Sequence, residues 1–417
     1  MMQKRHLHII TLLFTLWTLA PMHLFTQNDC AESMNDSISI VQRNNEQGFN
    51  DNINRLADDF VDVYVIVSTP GDVLYSILGH AALYLVCDTF GLEYIYSYES
   101  ESVQGKVLRF LLNDLKMGMT AIPLKDYLAP YKDEGRGVCG YKLNLPPEVE
   151  IELWRVLDTR LEEGMELQYD YIKRGCAISI VDNIQEAIRR ANQQYGTTYQ
   201  IDYAPWGSEF DRTLREIFYD NAPHGWGLFY CMTLVGGQVD NPKLPKEEKL
   251  ICPNELVATW QQAKIHNKAL LSSDKIIFLS EQKAHKAEPF TALNASIVLL
   301  LLSLLNLAWR RPYFDWLLLA IQTLIGVLMA WLLLSPLPGS EWSWLIIVFN
   351  PLPLVFWKWR QHWSMWYILI IVVWCMGMLL APHRLVEYAH IFLALSFALV
   401  LFKQVRSTCV NRSQSKS

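Results

Sequence analysis

A histidine and a cysteine, far apart in the chain, are the residues of this sequence best suited to chemistry. His80 lies in Gly79-His80-Ala81 on a strand-like run, and Cys176 follows Gly175 at the start of an amphipathic helix. Unpaired backbone N–H groups and the positive end of the helix dipole favour a thiolate at such a position. With an imidazole as base, a thiolate can attack a carbonyl and carry the acyl group as a thioester. The sequence therefore predicts Cys176 as a nucleophile and His80 as its base.

A second histidine and cysteine, His224 and Cys231, form a competing pair. Cys231 stands among Phe229, Tyr230 and Met232, and apolar surroundings raise the pKa of a thiol. That environment favours a buried structural cysteine. A lone histidine on an apolar strand is also more often a core residue than a base, so the case for catalysis depends on a partner cysteine at a helix start.

Further residues could stabilise the negative charge that develops in an acyl transfer. The backbone N–H of Cys176 is the first candidate for an oxyanion donor, and Tyr75 and Ser76, just before His80, are candidates for the second. Arg136, in a glycine-flanked loop, could hold a lipid phosphate through two parallel hydrogen bonds. The alternative for Arg136 is an ordinary solvated loop arginine.

The imidazole also needs a group that fixes its orientation. The next strand candidate offers Tyr96, Ser97 and Glu99 for this role. The alternative for each of them is ordinary strand surface.

Local patterns predict the elements that position these residues. Runs rich in β-branched and aromatic residues predict strands at 61–67, 80–86, 93–98 and 138–143. Apolar residues at helical spacing predict helices at 103–117, from Pro146-Pro147 to Gly164, and from Cys176 through Ile188. We therefore expect a mixed α+β domain with the thiol in the first turn of its third helix.

The remainder of the chain is much more apolar. The 417 residues are 51% hydrophobic, which suits two domains of different kinds. Apolar blocks at 290–309, 313–334, 342–357, 363–381 and 386–402 predict a domain of five transmembrane helices at 290–403.

With a net charge of −6 and no basic run, nucleic acid is not an expected partner. Metal-ligand spacings and nucleotide-binding loops are also missing from the sequence, so we expect no cofactor.

The charges of the loops predict how the chain is oriented. Lys4 and Arg5 precede an apolar run, so residues 1–26 are expected to be a signal sequence or an N-terminal anchor. Residues 27–58 are polar and indicate a linker, followed by an exported domain at 59–289. Positive charges between the apolar blocks and in the tail at 404–417 predict a cytoplasmic C-terminus.

The exported part resembles the Bacteroides-type lipoprotein N-acyltransferases, over about residues 60–265 and more weakly through Asn350-Pro351. The motifs that carry the resemblance occur in a fixed order: Thr69-Pro70-Gly71-Asp72, Leu74-Tyr75-Ser76, Gly79-His80-Ala81, Tyr94-Ile95-Tyr96-Ser97-Tyr98, Glu134-Gly135-Arg136, and Tyr169-Asp170-Tyr171 before Cys176. Where the family usually has Asn-Cys-Ala-Thr at the nucleophile, this chain has Gly175-Cys176-Ala177-Ile178.

The resemblance implies a permuted papain-like fold of the NlpC/P60 type, with the histidine before the cysteine. It also implies that Cys176 takes an acyl chain from a phospholipid and passes it to the α-amino group of a diacylated lipoprotein, in a bacterial inner membrane with the catalytic domain in the periplasm. Two other functions stay open: a membrane-anchored cell-wall hydrolase of the same fold, and a membrane scaffold in which His80 and Cys176 only pack.

Overall fold

The computed structural model describes residues 61–71, 76–101, 106–164, 167–203, 212–222, 225–241, 243–245, 247–282, 290–308, 312–381 and 386–414. The expected signal sequence or anchor at 1–26 and the expected linker at 27–58 lie outside these ranges, as do Tyr75 and His224.

The first half of the described chain is built around an antiparallel sheet. The strands are β1 (Asp62–Ser68), β2 (His80–Cys87), β3 (Leu92–Ser100), β4 (Lys116–Ile122), β5 (Val138–Leu143), β6 (Leu167–Gln168), β7 (Ile201–Asp202), β8 (Lys264–Ile265), β9 (Lys268–Ala269) and β10 (Leu271–Leu279). Seven of them form one sheet in the order β10-β5-β1-β2-β3-β4-β6, and β7, β8 and β9 form a small second sheet.

Helices cover both faces of the large sheet and continue into the second half of the chain. They are α1 (Val107–Leu111), α2 (Leu124–Glu134), α3 (Pro147–Glu162), α4 (Cys176–Tyr195), α5 (Leu214–Asn221), α6 (Trp226–Leu234), α7 (Pro253–Trp260), α8 (Ala292–Asn306), α9 (Tyr313–Leu332), α10 (Leu352–Val355), α11 (Arg360–Leu380) and α12 (Tyr388–Gln414). The expected mixed helix-and-sheet class is confirmed.

The central strands are buried on both sides because side chains alternate between the two faces of a strand. One face carries the larger core, in which Val65 and Leu83 pack with α3 and α4. On the other face, Tyr84 and Ile95 pack with Tyr127 of α2. Because both faces of β1 and β2 are covered by packed side chains, apolar residues run almost continuously along these strands.

Most of the local predictions for this half hold. The four expected strands correspond to β1, β2, β3 and β5, and the second and third expected helices correspond to α3 and α4. The expected helix at 103–117 is wrong over the part that the structure describes: of residues 106–117, only Val107–Leu111 are helical. Asn113 takes a left-handed backbone conformation with φ of 53°, which ends the helical path, and Lys116 already begins β4.

Among its described residues, the second half contains three helices that are long and apolar enough to cross a membrane: Tyr313–Leu332, His362–Leu380 and Tyr388–Arg406. The five expected spanning helices are therefore not confirmed as such. The first apolar block forms α8, whose 15 residues reach only about 22 Å. The third block is broken into a 3-10 turn at Trp344–Ile347 and the four-residue helix α10. Pro351 and Pro353 lie at this break, and neither has an N–H with which to continue a helical ladder.

Polar side chains satisfy the backbone where the third block breaks. Tyr367 of α11 donates to the carbonyl of Val348 at 2.8 Å, and Gln322 of α9 donates to the same carbonyl at 3.2 Å. Asn350 donates to the Tyr367 hydroxyl at 2.9 Å. Gly326 lets the broken segment approach α9, because a Cβ there would lie 2.4 Å from the carbonyl carbon of Asn350. A non-helical backbone inside a helical bundle needs such partners.

The sheet and the long helices contact each other through the segment that follows α9, which we call the α9 exit loop (residues 333–341). The Ser335 hydroxyl donates to the Leu111 carbonyl at 2.5 Å, and Asn113 donates to the Pro336 carbonyl at 3.2 Å. The Gly236 N–H donates to the Gly339 carbonyl at 2.6 Å. The loop therefore contacts the chain just after α6 and also α1 with the turn that follows it, which we call the α1 segment (residues 107–113).

Candidate active site

His80 is the first residue of β2 and lies opposite Ser68 of β1. A tight turn before it fixes where the strand begins. Gly79 has a φ of +80°, and a Cβ at this position would lie 2.5 Å from the Ser68 carbonyl oxygen. Only glycine meets both requirements. The glycine of the Gly79-His80-Ala81 motif thus serves to place the imidazole.

Cys176 is the first residue of α4, after Gly175 as the N-cap. Its thiol lies close to His80 and to the backbone N–H groups of Ala81 and Ala177, all of which lower its pKa. The apolar face of α4 continues from Ala177 into the core against the sheet, and this packing holds the first turn beside the start of β2. The structure therefore brings the two residues expected from the sequence into direct contact.

Ser97 and Glu99, near the end of β3, complete the environment of the imidazole. Nε2 of His80 lies 2.7 Å from the Ser97 hydroxyl, which donates to the Glu99 carboxylate at 2.8 Å. The same carboxylate is 3.5 Å from Nε2. Since Ser97 gives its proton to Glu99, it accepts from Nε2, and Nδ1 is left to face the thiol. Tyr96 points to the opposite face of the strand and donates to Asp158, so it does not orient His80.

The pKa values of the two main groups are shifted towards an ion pair. Burial opposes the charge on His80, but Tyr131, Cys176 and Glu99 outweigh it and raise the pKa of His80 well above its ordinary value. Burial likewise opposes the thiolate, yet the charge and hydrogen bond of His80, with the N–H groups of Ala81 and Ala177, lower the pKa of Cys176. A thiolate facing an imidazolium is the active form of a cysteine nucleophile.

Glu99 is also held in its charged carboxylate form. Burial alone would raise its pKa, and the charge of His80 together with hydrogen bonds from His80 and Ser97 lowers it. The Glu99 side chain is 42% exposed, whereas that of His80 is 18% exposed. Water therefore screens the carboxylate in part, which weakens its support of the imidazolium.

Two tyrosines of α2 border the site and were not singled out from the sequence. Tyr131 is the strongest of the groups that raise the pKa of His80, and it shares a hydrogen bond of 3.3 Å with Tyr127. Both phenols are buried, and burial raises the pKa of each. Tyr127 and Tyr131 are one helical turn apart, and this spacing in the sequence indicates that they share one face of the helix. Nothing in the local sequence, however, tells which helix packs on the face of β2 that carries His80.

Arg136 does not occupy the place expected of a lipid-phosphate ligand. It is 8% exposed, and its guanidinium donates to the Thr69 carbonyl at 2.8 Å, the Ser68 hydroxyl at 2.8 Å and Glu134 at 3.1 Å. It also lies over the Tyr131 ring, 4.8 Å from the centroid. Neither the phosphate role nor the solvated-loop alternative fits this burial. Arg136 instead fastens the end of β1 to the helix that carries Tyr131.

The other candidates are placed less centrally. Ser76 is 3% exposed and shapes the turn before His80, where its carbonyl accepts from the N–H groups of Gly71 and Gly79 at 2.8 and 2.9 Å. Its role as an oxyanion donor stays a prediction, and Tyr75 lies outside the described residues.

Burial raises the pKa of Cys231 to about 12, which suits a structural thiol. Among the described residues no cluster of side chains could hold a metal ion.

The end of the sheet that carries the site is also the end that contacts the α9 exit loop. Ile172, shortly before Cys176, lies against Gly339, where a Cβ would be 2.2 Å from the Ile172 Cδ1 atom. On the other side of the site, β3 runs from Glu99 into the α1 segment, which contacts the loop through Leu111 and Asn113. The segments on both sides of the site therefore contact the loop that follows α9, one of the helices that can cross a membrane.

Comparison with known proteins gives one match. Residues 52–206 match the family model described as the Lnb N-terminal periplasmic domain. This range contains His80, Ser97, Glu99 and Cys176, so the resemblance inferred from the motifs is confirmed for this domain. No curated protein matches the chain. No solved structure matches it either.

Proposed function

We propose that this Lnb-like chain is a lipoprotein N-acyltransferase that moves an acyl chain from a phospholipid, through a thioester on Cys176, to the N-terminal amine of a diacylated lipoprotein. The observation that carries the proposal is the position of the Cys176–His80 pair at the end of the sheet that adjoins the membrane-capable helices. A thiol that acts on soluble substrates has no need of this position, whereas one that acts on acyl chains does.

The first half-reaction transfers the acyl group to the enzyme. The Cys176 thiolate attacks the ester carbonyl of the phospholipid, and the resulting oxyanion is stabilised by backbone N–H groups, with that of Cys176 as the first candidate. Collapse of this intermediate breaks the carbon–oxygen bond of the ester. The imidazolium of His80 gives its proton to the departing alkoxide, so a lysophospholipid leaves and an S-acyl Cys176 remains.

The second half-reaction releases the acyl group to the acceptor. The neutral α-amine of the lipoprotein attacks the thioester carbonyl, and His80, now neutral, takes a proton from the attacking nitrogen. The carbon–sulfur bond breaks and Cys176 leaves as a thiolate. Ser97 and Glu99 hold the ring orientation through both half-reactions and stabilise the imidazolium whenever it forms.

The same proposal includes a permuted papain-like fold for residues 59–289. The order of the catalytic residues supports it, because the base begins a strand of the sheet and the nucleophile comes later, at the start of a packed helix. The match to the periplasmic domain family supports an external location for this part of the chain.

We further propose that the chain between residues 290 and 403 crosses the membrane five times, with the tail at 404–417 in the cytoplasm. Contacts at both ends of the short helix α8 support this count. At its start, Trp226 of the sheet domain donates to the Phe290 carbonyl at 2.9 Å. At its end, Asn306 meets the buried ion pair of Asp315 and Lys403, joined at 3.1 Å. The broken third block also reaches the end of the helices at which Asn306 lies. There the Trp357 ring lies 5.5 Å from that of Trp316, in the first turn of α9.

Mass spectrometry of lipoprotein N-termini tests the proposed reaction. A cell that lacks its own N-acyltransferase is complemented with the wild-type chain, with Cys176→Ala, or with Cys231→Ala as the matched control thiol. We expect acylated α-amines with the wild type and the Cys231 variant and free α-amines with the Cys176 variant. Free α-amines with all three, at equal protein levels, would contradict the transferase and favour the hydrolase or the scaffold.

A further inference from the structure

The short helix α1 and the turn after it carry an unusual set of exposed apolar side chains. Val107 is 48% exposed, Leu108 is 64% exposed and Leu112 is 40% exposed. Clustered apolar side chains of this size are unfavourable in water and mark a surface that contacts something else. The adjoining basic residues, Lys106 and Arg109, both bind the carboxylate of Glu101.

The α1 segment lies at the level where the helix α9 ends. Its Leu111 carbonyl accepts from Ser335 at 2.5 Å, and its Asn113 donates to the Pro336 carbonyl at 3.2 Å. Phe110 and Leu111 pack against the core formed by the membrane-capable helices. The neighbouring Leu334, just after α9, is 88% exposed. The exposed face of α1 is thus continuous with the apolar surface at one end of a spanning helix.

We propose that the α1 segment lies in the interface of the outer leaflet and inserts Val107, Leu108 and Leu112 among the phospholipid chains. The occupant of this face is a lipid bilayer because the segment is fastened to the end of a helix that spans one. An apolar face bordered by charged side chains suits the boundary between acyl chains and headgroups. A 30 Å hydrocarbon layer, roughly the usual thickness, would end near this level on α9.

The position of α1 connects this lipid contact to the thiol, a step that rests on the proposed acyltransferase function. Glu101 follows Glu99 closely at the end of β3 and accepts from Arg109 at 3.0 and 3.2 Å and from Lys106 at 3.1 Å. Its carboxylate also accepts from the Lys116 N–H at 3.0 Å, where β4 begins. Glu101 therefore locks the inserted segment to the strand ends beside His80. A phospholipid whose acyl chain contacts Leu108 then has its ester groups near the level of Cys176 and His80 along the membrane normal.

Photocrosslinking tests the lipid contact without requiring any activity. The photoreactive residue p-benzoylphenylalanine replaces Leu108 in the full chain, in vesicles of phosphatidylethanolamine and phosphatidylglycerol. Phe90, which is 49% exposed in the turn at the far end of β2, takes the same replacement as the matched control. We expect phospholipid adducts by mass spectrometry at position 108 and none at position 90. Equal adducts at both positions, no adduct at position 108, or a crosslinked protein dimer there would overturn the proposal.

Acyl transfer measured in the same vesicles separates the two proposals. Leu108→Glu should lower the transfer rate about tenfold, because a charge placed in the interface draws the segment out of the lipid, whereas Phe90→Glu should leave it unchanged. A lipid adduct at position 108 in a chain with no wild-type transfer would keep the interface and remove the function. Wild-type transfer without any adduct would keep the function and remove the interface.

Discussion

At the scale of single residues, catalytic competence depends on charge that a buried site would normally suppress. Burial opposes both the thiolate of Cys176 and the imidazolium of His80. The thiolate is maintained by His80 and by the N–H groups of Ala81 and Ala177, and the imidazolium by Tyr131, Cys176 and Glu99. Removal of one member should therefore change the protonation of the rest. Two predictions belong to this scale.

The first concerns the pH dependence of thiol alkylation. A free thiol has a pKa of about 8.5 and reacts slowly below it. Because the pKa of Cys176 is lowered, its reaction with iodoacetamide should stay fast at pH values below that of a free thiol. His80→Gln removes the main group that lowers the pKa of Cys176, so the alkylation profile should shift to higher pH. Peptide mass spectrometry of Cys176 alkylation against pH measures both; coincident profiles for the wild type and the variant would refute the ion pair.

The second concerns Glu99 as a positioning residue. Glu99→Gln keeps the shape of the side chain and removes its charge, so the pKa of His80 should fall and transfer should slow by about 10- to 100-fold, the usual cost of losing such a partner. Glu93→Gln, on the same strand but bonded to Tyr84, is the matched control. The kcat of transfer and the pH profile of alkylation should change together. A lower rate with an unchanged profile would indicate a merely structural role.

At the scale of elements, two glycines allow close packing that no other residue permits. Gly79 begins β2 with a positive φ and places His80, and Gly326 on α9 lets the broken segment come near. Each is an ordinary glycine by sequence pattern. Their importance follows from the backbone that lies against them.

Gly326→Ala should destabilise the helical region. A Cβ at this position would lie 2.4 Å from the carbonyl carbon of Asn350, so the backbone must shift, at a cost of about 1–3 kcal/mol. Gly377→Ala on α11 is the control, because a Cβ there meets nothing within 4 Å. Thermal unfolding in detergent should show a lower Tm for the first variant only. A Tm unchanged by both would contradict the close approach.

At the scale of the whole molecule, the structure joins a thiol domain to membrane helices at one end of its sheet. Gly339 in the α9 exit loop is central to this junction: it accepts from Gly236 and lies against Ile172, near the start of α4. A disturbance of the loop should therefore reach Cys176 without touching any catalytic side chain.

Gly339→Ala tests this connection. A Cβ would lie 2.2 Å from the Ile172 Cδ1 atom, and the φ of +68° adds about 1–2 kcal/mol of backbone strain. Gly91→Ala carries the same kind of strain at a φ of +62° but meets no atom within 4 Å. We expect slower acyl transfer and slower Cys176 alkylation only for Gly339→Ala. Equal losses in both variants would assign the effect to strain alone.

The sequence by itself determined the features that depend on neighbours along the chain. Runs of β-branched and aromatic residues predicted the strands that carry His80 and Ser97, and helical spacing placed Cys176 in a first turn. The same local reading failed at 103–117, where Asn113 turns the chain, and at the third apolar block, where prolines interrupt the helix.

Tertiary structure alone decided which of the candidates meet. The strand register and the helix that packs on each face put Ser97, Glu99 and Tyr131 around His80, turned Tyr96 away, and buried Arg136 against Ser68. The contacts of the α9 exit loop decided that the end of the sheet carrying the thiol adjoins the membrane-capable helices. Residues distant in sequence are brought together by register and packing, and these depend on the energy of the whole fold, which no local pattern contains.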